Sequence, residues 1–206
     1  MDLIIVRHGR PERSNDSADP ALSPIGFEQA ARVSERLTSE QIDHVVSSTM
    51  TRAAQTAQPL ADALGKELSQ RDDLREADEH HGRYVPAEEM TMDDDFMKSM
   101  AENPMNLFEH GYDHFRDGVV AAFDDLIASH RGETVAVFCH GMVMASYLQH
   151  LWALESPFVP QLDYTGIMRV AAASNGLRTV KSVNETGHVF STIQAWGSEA
   201  KKGNTT

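Results

Sequence analysis

The sequence has very little cysteine, since Cys139 is the only one among 206 residues. This excludes an internal disulfide framework and is compatible with a reducing compartment. Long hydrophobic runs are also missing, because none approaches the roughly 18 residues that a membrane-spanning helix requires. A strand-like run begins at residue 3 and leaves no room for a signal peptide. We therefore expect a cytoplasmic protein without a membrane segment.

Basic residues are scarce as well. The chain has 18 lysines and arginines against 31 aspartates and glutamates, which gives a net charge of −13. This balance argues against binding to nucleic acid or to an anionic membrane surface. An anionic substrate must therefore be attracted by a local group of cations. With 41% hydrophobic and 24% charged residues, the composition is that of an ordinary globular domain with a sizeable core.

Short runs of branched apolar residues predict the strands of a central sheet. These runs lie at residues 3–6, 45–46 and 134–138, with further strand-like runs at 166–172 and 177–183. Apolar residues at helical spacing lie between them, as in an α/β fold. We expect one domain over residues 1–196, followed by a disordered tail at 197–206.

Two of the predicted helices carry specific expectations. The first begins at Ser23-Pro24, a good N-cap followed by a proline that the first turn tolerates. Its apolar residues recur at helical spacing and supply a buried face, namely Phe27, Ala30, Val33 and Leu37. The next helix ends at Gly65, and we expect Pro59 inside it to kink or split it.

The composition changes between residues 77 and 114, where we expect a cap-like insertion. Five of the ten methionines lie between Met90 and Met105, beside three consecutive aspartates. One interpretation is a solvated, partly helical insertion whose methionines pack on the core. The other is a mobile cap whose adaptable thioethers line a substrate pocket.

Charged and titratable residues follow three of the predicted strands. Arg7 and His8 end the first strand. His140 follows a later one, and Arg52 lies in the first helical turn after the second. In an open α/β sheet, ligands bind beyond the carboxyl ends of the strands, beside helix N-termini that favour anions. Because paired guanidiniums make two-pronged contacts with tetrahedral oxyanions, the sequence predicts a phosphate site.

One histidine in such a cluster can act as a nucleophile. An imidazole with one nitrogen held by a backbone carbonyl presents the other nitrogen to phosphorus. Phosphoryl transfer depends above all on positioning and charge neutralisation, and this cluster supplies both without a metal. Glu76, in an acidic turn, is a candidate proton donor to the leaving oxygen if burial raises its pKa. We expect neither a metal nor an organic cofactor.

The other candidate sites are weaker. Cys139 cannot belong to a Cys-x5-Arg phosphatase site, because Ala145 stands where the arginine is required. His80 and His81 lie near carboxylates, but their spacing matches no zinc signature, and we expect a solvated loop there. His188 is at most an outer member of the phosphate site.

Several segments resemble the histidine phosphatase superfamily in its branch 1, or phosphoglycerate mutase-like, form. In chain order, the matching segments are Arg7-His8-Gly9, residues 22–30, residues 47–57 with Arg52, Leu74-Arg75-Glu76 and His140-Gly141. The first motif alone is weakly specific, whereas several motifs in the same order are strongly specific. The resemblance covers most of the chain outside the insertion and the tail.

The resemblance implies a three-layer α/β/α sandwich with a mostly parallel, mixed central sheet. It implies that His8 is the phosphorylated nucleophile and that Glu76 is the proton donor. It also implies that Arg7, Arg52 and His140 hold the phosphate and take part in catalysis. The substrate-binding residues that it implies are Arg7, Arg52, His140, Gly141 and Asn15.

The activity that we predict is hydrolysis of a small phosphorylated metabolite. Mutases of this family have glutamate directly after the first motif, where this chain has Arg10-Pro11. They also follow the acid with a basic-aromatic-glycine pattern, where this chain has Ala77-Asp78. Both differences favour a phosphatase over phosphoglycerate mutase-type transfer. The alternatives are phosphoglycerate mutase-type phosphoryl transfer and a catalytically silent protein that binds a phosphorylated ligand. The sequence is compatible with a monomer or a homodimer.

Overall fold

A computed structural model describes residues 1–78, 82–86, 89, 95–156, 158 and 162–189, without the side chains of Phe96 and Met97. Its strands are β1 (Asp2–Arg7), β2 (His44–Ser48), β3 (Leu68–Arg71), β4 (Thr134–Cys139), β5 (Ile167–Ala172) and β6 (Arg178–Glu185). Its α-helices are α1 (Pro24–Thr38), α2 (Thr51–Leu64), α3 (Asp95–Glu102), α4 (Tyr112–Ser129) and α5 (Gly141–Trp152). The predicted tail at 197–206 lies outside the described residues.

The six strands form one sheet in the order β3-β2-β4-β1-β5-β6. The first four in this order pair in parallel, whereas β5 runs antiparallel to β1 and β6 runs antiparallel to β5. Arg7 pairs with Cys139, and Ser47 of β2 pairs with Phe138. The carboxyl ends of β1, β2 and β4 therefore meet at one edge of the sheet, as the sequence predicted.

Helices cover both faces of this sheet because its central strands are apolar on both sides. Leu3 and Ile5 of β1 point into a core that α4 and α5 close. Ile4 and Val6 alternate with them and point into a second core, which α1 and α2 close. Each fully buried aliphatic side chain of this kind stabilises the fold by roughly 1.5–3 kcal/mol. The predicted three-layer α/β/α sandwich with a mixed sheet is confirmed.

Helix α1 begins where the sequence predicted, but one residue of its predicted buried face is exposed. The Ser23 hydroxyl accepts a hydrogen bond from the backbone N–H of Gly26 at 3.1 Å, as an N-cap does. Phe27, however, is 49% exposed, so its prediction as a core residue was wrong. The buried position in this first turn belongs to Gly26, where an added Cβ would lie 2.0 Å from the backbone oxygen of Arg10. Only a glycine allows the helix to approach this closely.

Helix α2 is continuous across Pro59, so the predicted split was wrong. Proline removes one intrahelical hydrogen bond, but the helix buries an apolar face on both sides of it. The buried residues of that face include Ala53, Ala57, Leu60 and Ala61. The helix ends at Gly65, as predicted, with the glycine at a left-handed φ of 62°.

The described part of the predicted insertion contains α3 and a short 3₁₀ turn at Pro104–Leu107. Leu107, Phe108 and Ala77 form a small apolar cluster, against which Met100 packs. Met105 is 40% exposed. Within the described residues, no helix has the length and apolar character that crossing a membrane demands.

Candidate active site

The predicted cluster forms at the carboxyl edge of the sheet. Arg7 is the last residue of β1, His8 follows it, and His140 follows β4. The backbone N–H of His8 donates to the carbonyl oxygen of Cys139 at 2.9 Å, which ties the two strand ends together. The imidazole rings of His8 and His140 lie 5.1 Å apart between centroids. Arg52 reaches the same point from the first turn of α2.

A tight turn at Gly9 orients the His8 ring. The backbone N–H of Gly9 donates to the Thr56 hydroxyl at 2.9 Å, and an added Cβ on Gly9 would lie 2.6 Å from the Gly26 oxygen. His8 Nδ1 lies 2.8 Å from the carbonyl oxygen of Gly9. A carbonyl oxygen can only accept, so Nδ1 carries the proton and Nε2 carries a lone pair.

Arg52 is fully buried and lies against that lone pair. Its Nε donates to His8 Nε2 at 3.3 Å, and its Nη1 donates to the carbonyl oxygen of Ala18 at 2.8 Å. Its Nη2 donates to a carboxylate oxygen of Asp78 at 3.3 Å. The guanidinium carbon also lies 4.8 Å from the ring centroid of Tyr84. These contacts hold the cation in one orientation.

Arg7 supplies the second guanidinium. Its Nη1 donates to the carbonyl oxygen of Leu162, and its guanidinium carbon lies 4.1 Å above the ring of Tyr164. Its Nε is buried and has no hydrogen-bond partner among the described residues. An added Cβ on Gly141 would lie 3.5 Å from this Nε, so the start of α5 passes close to it. The guanidinium therefore keeps an N–H group that can bind an anion.

Both histidines of the cluster are neutral. Burial, followed by the charges of Arg52 and Arg7, holds the pKa of His8 well below its usual range. Burial, followed by the charge of Arg52, lowers the pKa of His140 in the same way. His140 is fully buried, and neither of its ring nitrogens has a hydrogen-bond partner in the described part of the chain. A neutral ring always has one N–H to donate.

Glu76 lines the same cavity as His8 and the two arginines. One carboxylate oxygen accepts from the backbone N–H of Met142 and the other from that of Ala77, both at 3.0 Å. Burial, helped by the nearby carboxylate of Asp78, raises the pKa of Glu76 to about 7. At neutral pH this carboxyl group can therefore both give and take a proton.

A cavity of about 140 Å³ opens at the cluster. Its lining residues are Arg7, His8, Arg52, Glu76, Asp78, Tyr84, Val85, Leu107 and Met142. His140 lies beneath this wall against the His8 ring, and Gly141 lies beside Arg7. Asn15 is exposed on the loop before α1 and does not line the cavity.

Three residues that orient the two guanidiniums were not identified from the sequence. Asp78 and Tyr84 come from the predicted insertion, and Tyr164 from the turn before β5. None of them belongs to a strand end or to a periodic pattern, so only the folded loop brings them to the site. Cys139 is fully buried in the core, and burial raises the pKa of its thiol.

A family model for the histidine phosphatase superfamily (branch 1) matches residues 3–186 of this chain. The chain belongs to this superfamily. Phosphoglycerate mutase-like protein 4 from Arabidopsis thaliana is 33% identical over 159 residues, which cover 70% of this chain and 68% of that protein. The resemblance that the sequence motifs indicated is confirmed.

Solved structures of phosphatases have the same fold. A phosphoserine phosphatase from Entamoeba histolytica, crystallised with phosphoserine, has a TM-score of 0.73 and 23% identity, covering 92% of this chain and 99% of that one. A mycobacterial glucosyl-3-phosphoglycerate phosphatase has a TM-score of 0.70 and 20% identity, covering 89% and 98%. At these identities the two structures support the histidine phosphatase fold of this chain.

Proposed function

We propose that this protein is a phosphomonoesterase that hydrolyses a small phosphorylated metabolite through a phosphohistidine at His8. One observation carries the proposal above all others. The lone pair of His8 Nε2 lies at a cavity, with Nδ1 fixed on a carbonyl and the Arg52 guanidinium 3.3 Å away. A neutral, oriented imidazole beside a cation is what attack on a phosphate ester requires.

The phosphoryl group binds between the two guanidiniums. Arg7 and Arg52 neutralise its oxygens, and the N–H of the neutral His140 ring donates to one of them. Gly141 opens α5, whose first backbone N–H groups favour an anion, and its missing side chain keeps the space beside Arg7 clear. These groups supply the charge neutralisation, so the mechanism uses no metal.

When the substrate binds, a phosphate oxygen takes over the N–H that Arg52 Nε donates to His8 Nε2, which frees the lone pair. In the first step, His8 Nε2 then attacks phosphorus in line with the ester oxygen. The N–P bond forms, the P–O ester bond breaks, and the leaving alkoxide takes the proton of Glu76. In the second step, the Glu76 carboxylate removes a proton from a water molecule that attacks phosphorus. The N–P bond breaks, inorganic phosphate leaves, and both His8 and Glu76 return to their starting states. A Glu76 pKa of about 7 suits both steps.

The alcohol part of the substrate would enter through the cavity of about 140 Å³ beside the reacting groups. Its outer wall is apolar at Val85, Leu107 and Met142. We include Asn15 as a substrate contact on the strength of the family motif alone. The net charge of −13 disfavours polyanionic substrates.

A phosphoglycerate mutase-type transfer is the second candidate. The name of the Arabidopsis thaliana relative favours it. The Asp78 carboxylate at the cavity wall opposes it, because a carboxylate repels the second charged group of a phosphoglycerate. The two reactions share the phosphohistidine and differ in the acceptor, which is water in one and an alcohol in the other.

A substrate panel tests the proposal. Sugar phosphates, phosphoglycerates, nucleotides and phosphoamino acids are incubated with the protein, with and without a chelator, and phosphate release is measured. We expect turnover of at least one ester that the chelator leaves unchanged. 3-Phosphoglycerate should give inorganic phosphate or no product, whereas formation of its isomer would establish the mutase.

A trapping experiment tests the intermediate. Rapid acid-free quenching with a ³²P-labelled ester should label the wild type and not His8→Ala, which we expect to lose turnover by several orders of magnitude. His150→Ala, an exposed histidine on α5, is the matched control and should label normally. A thermal shift with phosphate and no turnover on any ester would show a silent binding protein instead.

A further inference from the structure

A second group of possible ligand atoms lies at the opposite edge of the sheet. His44 is the first residue of β2, His130 ends α4 as its C-cap, and Glu133 directly precedes β4. The six residues of β4 separate Glu133 from His140, a span of roughly 20 Å at about 3.3 Å per residue. This group is therefore independent of the phosphate chemistry proposed above.

We propose that His44, His130 and Glu133 form a binding site for a Zn²⁺-class transition-metal ion. One carboxylate oxygen of Glu133 lies 3.1 Å from His44 Nε2 and 3.0 Å from His130 Nδ1. The three ligand atoms lie within 4.8 Å of one another. Around a tetrahedral zinc with bonds of about 2.0–2.2 Å, neighbouring ligand atoms are roughly 3.3 Å apart. Small side-chain rotations therefore suffice to admit the ion.

The kinds of ligand select the ion. Imidazole nitrogen suits Zn²⁺, Ni²⁺ and Cu²⁺, whereas Mg²⁺ and Ca²⁺ require sites built mainly from oxygen. Two histidines and one carboxylate leave a fourth tetrahedral position, which water fills. Both imidazoles can remain neutral, because each moves its proton to the ring nitrogen that faces away from the ion. Two N–H···O contacts are then exchanged for two nitrogen–metal bonds and one oxygen–metal bond.

The backbone around the three residues is already fixed. The N–H of Asp43 donates to the carbonyl oxygen of Thr134 at 2.8 Å, and the N–H of Thr134 donates to the Asp43 carboxylate at 2.9 Å. These bonds hold the residue before His44 to the residue after Glu133. The N–H of Glu133 donates to the carbonyl oxygen of His130 at 3.2 Å, which closes the turn between those two ligands. The ion would thus bind with little loss of backbone freedom.

The surroundings also favour a cation. The C-terminal end of α4 lies at His130 and carries the negative end of the helix dipole. The chain as a whole has a charge of −13. The site remains open to solvent, since the side chains of His44, His130 and Glu133 are 43%, 24% and 42% exposed. An ion can therefore enter without unfolding the chain.

Titration with ZnCl₂ alone tests the proposal in the full chain. We expect calorimetry to show saturable Zn²⁺ binding, a rise in Tm that depends on Zn²⁺ concentration, and no rise with MgCl₂. Co²⁺ should give the visible ligand-field absorption of a four-coordinate ion. Because the readouts are binding, Tm and absorption, they do not depend on whether the protein hydrolyses any ester.

Variants locate the ion. His44→Ala and Glu133→Gln should weaken Zn²⁺ binding by more than the ~10–100-fold that loss of an outer partner costs. The double variant His110→Ala/His114→Ala is the control, since it removes an exposed histidine pair with ring centroids 5.8 Å apart. Circular dichroism verifies folding, and Glu133→Gln preserves side-chain size if His44→Ala does not fold.

Two outcomes would overturn the proposal. One is a wild-type chain that does not bind Zn²⁺. The other is binding that persists at the same affinity in both His44→Ala and Glu133→Gln, which would place the ion elsewhere, for example at the histidines of the candidate active site.

Discussion

Arg52 donates a hydrogen bond from Nε to the unprotonated Nε2 of His8, across 3.3 Å. The same guanidinium lowers the pKa of His8, second only to burial. A phosphate oxygen that binds Arg52 would therefore lie next to the nitrogen proposed to attack phosphorus. In the proposed mechanism, one buried cation thus contacts both the substrate and the nucleophile.

Replacing that cation tests this dependence. We expect Arg52→Ala to lower kcat/KM. The loss should correspond to about 2–4 kcal/mol of transition-state stabilisation, by analogy with the loss of one oxyanion donor. The kcat/KM of Arg52→Lys should lie between those of the wild type and Arg52→Ala, because lysine restores the charge without the two-pronged geometry. Arg32→Ala removes an exposed arginine that pairs with Glu28 on the same helix and is the control. Equal activity of the Arg52→Ala and Arg32→Ala variants would contradict the proposed role.

In the proposed mechanism, the pKa of Glu76 sets the alkaline side of the pH profile. Transfer of a proton to the leaving group requires the protonated carboxyl, whose fraction falls as the pH rises through about 7. We therefore expect kcat/KM for an alkyl phosphate to fall above about pH 7. Glu76→Gln should abolish this limb and lower the rate about 10²–10⁴-fold. For aryl phosphates, whose leaving groups need no proton, kcat/KM should fall much less, because this parameter reports the first step and not the hydrolysis of the shared phosphohistidine. An equal loss of kcat/KM for both ester types would contradict the role.

A substitution at Asp78 should shift the alkaline limb of the kcat/KM profile while Glu76 stays in place. Its negative charge helps to raise the pKa of Glu76, so Asp78→Asn should lower that pKa. The alkaline limb of kcat/KM should then shift to lower pH. Asp73→Asn removes an exposed carboxylate that pairs with Arg71 and should leave the limb in place. A limb that does not move in Asp78→Asn would show that another group controls it.

The close packing at Gly9 leads to a prediction about the stability of the fold. Its missing Cβ would lie 2.6 Å from the backbone oxygen of Gly26, and backbone cannot rotate away. We expect Gly9→Ala to destabilise the fold by about 1–3 kcal/mol, as overpacking does. At about 2–4 °C per kcal/mol, calorimetry should show Tm lower by roughly 2–12 °C.

The chain contains a matched control for Gly9. An added Cβ at Gly118, inside α4 and exposed, would meet nothing within 4 Å. Gly118→Ala should raise stability by roughly 0.5–1 kcal/mol, because alanine has the higher helix propensity. If both alanine variants changed Tm in the same direction, the close packing at Gly9 would not be the cause.

The sheet and its polar edge could be predicted from the sequence because their signals are local. Apolar runs of the right length end directly at Arg7, His8 and His140, and parallel pairing fixes where strand ends meet. Asp78 and Tyr84 could not be predicted in the same way. They reach Arg52 from a loop whose path is determined by contacts distant in sequence, such as the bridge between Tyr84 and Ser14.

The two corrected residues show the limits of periodicity. Phe27 and Gly26 differ by one position, about 100° around a helix, and an apolar pattern favours the larger side chain. The close approach of α1 to the backbone of Arg10 gives the inner position to the glycine instead. Pro59 breaks one hydrogen bond, but burial on both sides of it holds α2 together. In both helices, tertiary packing outweighed the local rule.

The position of β1 in the sheet affects how the chain folds during synthesis. Asp2 pairs with Thr134 on one side and with Ala171 on the other. At about 5–20 residues per second, this first strand leaves the ribosome on the order of 10 s before either neighbour exists. Its branched residues stay unpaired throughout that time, so we expect the nascent chain to be most prone to aggregation before β4 and β5 have been synthesised.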